Sequence, residues 1–88
     1  MKPQDFSFYG QTIPARMCGG IERYIEDLVK PGDFLTAVIC NNLKGAVGQA
    51  DDENIHLLPV YVAYFHNEAP SACWGSREKM IAWLDRKP

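Results

Sequence analysis

Residues 33–48 read DFLTAVICNNLKGAVG, and their apolar positions decide the fold class. Phe34, Leu35, Val38, Ile39, Leu43, Ala46 and Val47 recur at helical spacing, while Asn41, Asn42, Lys44 and Gly45 fall largely outside the stripe. The stretch is therefore expected to be one amphipathic helix, begun by Asp33 as its cap and ended near Gly48.

Upstream, Met17, Ile21, Ile25 and Leu28 keep the same period behind Pro14, which suits a first helical turn. A helix is expected over about 14–29, closed by Lys30-Pro31-Gly32. Gly19 and Gly20 lie inside it, each costing about 1 kcal/mol relative to alanine. Such glycines imply close approach by either a neighbouring helix or a ligand.

Downstream, Asp51-Asp52-Glu53 favours a helix start with Asp51 as cap, and Ile55, Leu58, Val62 and Phe65 continue at helical spacing. Pro59 removes an internal donor there, so this third helix is expected to be kinked. Residues 67–75, with Pro70 and Gly75, read as a surface loop in which Trp74 is the bulky exception. Ser76 caps a last helix carrying Glu78 in its first turn and Met80, Ile81 and Leu84 on its apolar face.

Residues 1–12 place Phe6, Phe8 and Tyr9 before Gly10, as expected of a short extended arm laid on the body. The expected architecture is mainly all-α: about four helices in a small bundle over 13–88, preceded by the extended arm 1–12. At 88 residues the chain fits one domain, since domains usually run to about 100–150 residues. So short a chain buries a modest share of its surface, which makes a homo-oligomer an expected partner state.

Composition narrows function. Hydrophobic residues make up 47% and charged residues 23%, which suits a globular domain rather than a disordered one. The net charge of -2 and the lack of a basic face argue against binding duplex nucleic acid. No stretch reaches membrane-spanning length, and the first fifteen residues have no signal-like apolar core, so a cytoplasmic location is expected. Cys18, Cys40 and Cys73 are an odd, widely spaced set, which reads as reduced thiols rather than a disulfide framework.

No catalytic pattern emerges. His56 and His66 are the only histidines, and no spacing pairs either with Cys73 or a serine. The cysteines and histidines lack the close pairs of a zinc site, and the acidic run lacks a calcium-loop pattern. The chain is therefore read as a binding protein, not an enzyme, with no metal and no cofactor expected.

Two polar groups stand out as candidate ligand-binding residues. Arg16, Arg23, Tyr24, Asn41, Asn42 and Asn54 supply guanidinium, phenol and amide groups that suit phosphate, carboxylate and base edges. Surface and structural roles remain the competing reading for these side chains. Trp74 and Ser76 lie where an aromatic ring could stack beside a helix N-terminus, or where the ring could plug the core.

The pattern Ile13-Pro14, Arg16-Met17, Gly20, Arg23-Tyr24-Ile25, Pro31-Gly32, Phe34-Leu35, Ala37-Val38, Asn41-Asn42-Leu43, Ala50-Asp51, Asn54, Asn67, Ala69-Pro70 and Cys73-Trp74-Gly75-Ser76 resembles a family of short phage and prophage proteins of unassigned function. The family carries Asn-Asp-Leu where this chain has Asn41-Asn42-Leu43, so an acid is missing at position 42. The resemblance implies a phage or prophage origin, action in the cytoplasm of the bacterial host, and an anti-defence role.

Two functions follow as expectations. In the first, the chain sequesters a small anionic nucleotide-like signal, with Arg16 and Arg23 on phosphates, the asparagines on base or ribose, and Tyr24 or Trp74 stacking the base. In the alternative, it is an inhibitor or adaptor that docks on a host or phage protein through Tyr61, Tyr64, Trp74 and Trp83.

Overall fold

In the computed structural model, which describes residues 1–87, the chain is mainly helical. Five α-helices rather than four are present among the described residues: α1 (Ala15–Asp27), α2 (Asp33–Ile39), α3 (Leu43–Gln49), α4 (Leu58–Glu68) and α5 (Arg77–Leu84). The fifth arises because residues 33–48 are two helices. Asn41 adopts a left-handed conformation (φ 59), and Asn42 starts α3 by accepting the Gly45 N–H on Oδ1 at 3.0 Å. Asparagine tolerates the first geometry and excels at the second, so this dipeptide breaks the helix.

Asp33 is the first residue of α2 rather than its cap; Gly32 holds that position without a side-chain bond. α1 begins after Pro14, which precedes the helix, and ends at Leu28, itself left-handed (φ 58). The Leu28 and Val29 N–H groups both return to the Arg23 carbonyl and close the helix. Gly20 faces Leu35, whose Cδ1 would lie 3.5 Å from an added Cβ, an ordinary packing contact that does not by itself require glycine.

Asp51 does not cap the helix expected to follow it; its Oδ1 instead closes a local turn, accepting from Asn54 N at 2.7 Å and Glu53 N at 3.2 Å. A 3-10 turn, Asn54–Leu57, comes next with Glu53 at its N-cap, and α4 follows. Pro59 lies in the first turn of α4, where no N–H donor is needed, and this replaces the expected kink with a clean start. α4 extends through Glu68 and buries Val60, Tyr61, Ala63, Tyr64 and Phe65 at the centre of the core.

Ser76 caps α5, accepting the Lys79 N–H on Oγ at 3.1 Å. Met80 and Trp83 form the inward face of α5, whereas Ile81 is largely exposed. The preceding segment is tied to the body: Gly75 N donates to the Ile39 carbonyl at 2.8 Å, and a 3-10 turn spans Ser71–Cys73.

The N-terminal arm is a 3-10 turn followed by a small antiparallel hairpin, β1 (Ser7–Phe8) and β2 (Gln11–Thr12), in which Ser7 pairs with Thr12 and Phe8 with Gln11. Tyr9 and Gly10 both have positive φ (52 and 76), the backbone twist that a two-residue hairpin requires. Phe6 is buried, its ring edge-on to Tyr64 at 5.4 Å, while Tyr9 stands 91% exposed.

Candidate functional site

The polar side chains singled out from sequence fall into separate places. Arg16 is exposed on α1 and donates from Nη2 to Asp51 Oδ2 at 2.8 Å and Glu53 Oε1 at 2.9 Å. Asn54 is buried: Tyr61 donates its hydroxyl to Asn54 Oδ1 at 2.6 Å, and Asn54 Nδ2 reaches Met17 Sδ at 3.7 Å. Asp51 links the two residues only through the Asn54 backbone N–H, since the Asn54 side chain is turned to Tyr61 and Met17.

The others do not join them. Tyr24 is fully buried and donates to the Cys73 carbonyl at 2.5 Å. Arg23 is exposed on α1, its guanidinium lying along the helix over Gly19. Asn41 and Asn42 form the α2–α3 link, and Ser76 is a helix cap. Trp74 is half-buried, tilted against Phe65 at 6.1 Å with His66 edge-on at 6.4 Å. Most of these polar atoms are committed within the chain.

The aromatic residues expected to anchor a docking surface are placed differently from that expectation. Tyr61, Tyr64 and Trp83 belong to the core and Trp74 packs against it, because each aromatic surface is worth more inside than at an exposed face.

The thiols are not activated nucleophiles. Burial pushes the Cys73 thiol up to about 11 and is also the main cause of upward shifts at Cys18 and Cys40; at Cys40 the nearby Arg77 opposes it. At neutral pH all three are therefore protonated, the less reactive form.

The unexpected feature is α3. This short helix turns the small Ala46 into the core and points its two large aliphatic residues outward, with Leu43 72% and Val47 48% exposed. They are one turn apart and form a ridge. Beside it, Leu43 and Ala46 share an apolar recess of about 50 Å³ with Val38, Leu58 and Val62, and Asn41 and Asn42 form its polar end. Val62, 45% exposed, also lines a second hollow with Phe8, Pro59 and Ala63.

An apolar band therefore runs from α3 across α4 to the hairpin. Between Asn41 and Ala50 the only charged residue is Lys44. Sequence periodicity placed Leu43 and Val47 in the core because it assumed an unbroken helix. The Asn41-Asn42 pair, a left-handed residue followed by a cap, was the available signal that the face would be reset.

Comparison with known proteins finds no matching family, no matching curated protein and no matching solved structure.

Proposed function

We propose that this chain is a non-catalytic docking protein whose α3–α4 face receives an apolar helix of a partner protein. The observation that carries this reading is the outward ridge of Leu43 and Val47 beside a recess bounded by Leu58 and Val62. Burying an aliphatic side chain that is otherwise exposed contributes roughly 1.5–3 kcal/mol, so several together can offset part of the cost of association.

The partner chemistry follows from the lining. Outward positions on α4 near the recess are Pro59, Val62, His66 and Asn67, and α3 adds only Lys44 as a charge. A neutral aliphatic ridge fits such a face, whereas a strongly charged surface would lose hydration without gaining a counter-charge. A partner helix with aliphatic residues at i and i+4 meets these requirements.

The inferred setting, drawn from the resemblance to short phage proteins, is the bacterial cytoplasm, with a host or phage protein as partner. Sequestration of a nucleotide-like signal by Arg16, Arg23 and the asparagines has less support, because Asn54 and Tyr24 are spent on buried bonds and Arg16 on two carboxylates.

The test compares the native chain with the double variant Leu43→Asp/Val47→Asp. Both should show the same circular dichroism and cooperative unfolding. Native mass spectrometry of complexes purified from bacterial cells should show one defined partner at fixed stoichiometry with the native chain and none with the variant. Equal retention by both would overturn the reading, and a complex containing only copies of this chain would redirect it to self-association.

A further inference from the structure

Next to the apolar recess, and sharing Asn42 with it, lies an open cleft of about 370 Å³ bordered by Asp33 of α2, Cys40 at its C-terminal end, Asn42 at the cap of α3, Gln49 of α3, and Arg77 at the start of α5. Its size falls within the range of about 300–1,000 Å³ for small-molecule sites. Its composition contrasts with the apolar band: one cation, one anion, two primary amides and a thiol.

The fold consumes only some of these groups: the Cys40 thiol lies against Met80 Sδ at 3.4 Å, whereas the charged and amide groups keep free donors and acceptors. Asn42 spends its Oδ1 on the Gly45 N–H, which leaves the two Nδ2 donors directed to no acceptor. Among the described residues, Arg77, Gln49 and Asp33 have no side-chain hydrogen bond or ion pair. That separates Arg77 from Arg16, held by Asp51 and Glu53, and from Arg86, stacked over Trp83 at 4.1 Å. Gly45 lines the same cleft, and its lack of a side chain keeps the floor open beneath the Asn42 amide.

We propose that this cleft is a binding site for a nucleoside monophosphate, with Arg77 on the phosphoryl group, the Asn42 and Gln49 amides on the base edge, and Asp33 accepting from a ribose hydroxyl. A guanidinium matches phosphoryl oxygens with two parallel donors, primary amides match the donor and acceptor pairs of a base, and a carboxylate suits hydroxyl donors. The cleft shares Ala37 and Asn42 with the recess of the docking face but not the Leu43 and Val47 ridge, so Arg77 and Leu43 tell the two sites apart.

Cys40 supplies a built-in reporter, because it borders the cleft and is partly exposed, whereas Cys18 and Cys73 are buried. The native protein is treated with iodoacetamide in the presence of AMP, GMP, CMP or UMP, the corresponding nucleosides, or inorganic phosphate, and adducts are assigned by peptide mass spectrometry. At saturating ligand, at least one monophosphate should slow Cys40 alkylation by roughly fivefold or more, as expected when a bound state is protected. The nucleosides and phosphate alone should have little effect.

Arg77→Gln should remove the protection, measured against that variant's own ligand-free rate, while Leu43→Asp should leave it intact. Failure of all four monophosphates to protect would overturn the proposal, as would undiminished protection in Arg77→Gln. Protection by inorganic phosphate as strong as that by any nucleotide would overturn the assignment of the amides and mark a simple anion site.

Discussion

The Tyr61 hydroxyl donates to Asn54 Oδ1 at 2.6 Å inside the core, joining α4 to the turn that precedes it. Tyr61→Phe keeps the ring against Phe34, its T-shaped neighbour at 5.2 Å, but leaves a buried amide oxygen without its donor. The expected cost is roughly 1–3 kcal/mol, read from urea unfolding. A cost near zero would mean that this bond does not restrain the core.

Alkaline pH should destabilise the fold. Burial raises the phenols of Tyr24, Tyr61 and Tyr64 above their ordinary 10.0, Tyr64 to about 12, and raises the Cys73 thiol from 9.0 to about 11. The unfolded chain loses these protons at the ordinary values, so above about pH 9 it binds fewer protons than the folded chain. The contribution of these four groups should be constant up to that point and be lost as pH rises through the folded values. Denaturation midpoints between pH 7 and 11 provide the check.

Asp51 and Arg16 should differ in importance although they are ion-pair partners. Asp51 binds the Asn54 and Glu53 N–H groups in addition to Arg16, and the Asn54 bond is the largest cause of its lowered carboxyl pKa. Asp51→Ala should therefore lower Tm more than Arg16→Ala, and Asp51→Asn should recover part of the loss. Because the folded value lies below 3.8, the carboxylate contribution is present above that pH and disappears as pH falls through the lowered value.

Two glycines of α3 should respond in opposite ways to alanine. At Gly48 nothing lies within 4 Å of an added Cβ, so alanine should stabilise by about 0.5–1 kcal/mol. At Gly45 the Cβ would meet Asn42 Nδ2 at 2.5 Å, forcing that side chain away from its cap. Losing a cap costs about 1 kcal/mol, which offsets the helical gain and leaves Gly45→Ala neutral or destabilising. Equal stabilisation at both positions would contradict the role of Asn42.

The mainly helical character was legible because Ile21 and Leu28, Phe34 and Val38, and Met80 and Leu84 keep local periodicities, and the Ser76 cap was legible from residue type. The split at Asn41-Asn42 was hidden by apolar spacing that runs through it unbroken. Pro59 suggested a kink because the true helix start at Leu58 lacks a side-chain cap bond. The placement of the polar set was less accessible still. Tyr24 meets Cys73 and Arg16 meets Asp51 across long sequence separations, which short-range spacing does not encode.

If the outward-turned Leu43 and Val47 form a docking ridge, site-specific photo-crosslinking in bacterial cells should trap the partner on it. A benzophenone amino acid is placed in turn at positions 43, 47 and 62, and at the exposed control position 78 on α5. The account expects the three apolar positions to capture the same single protein and position 78 to capture none of it. Absence of a common partner at 43, 47 and 62, or equal capture at 78, would contradict docking through the α3–α4 face.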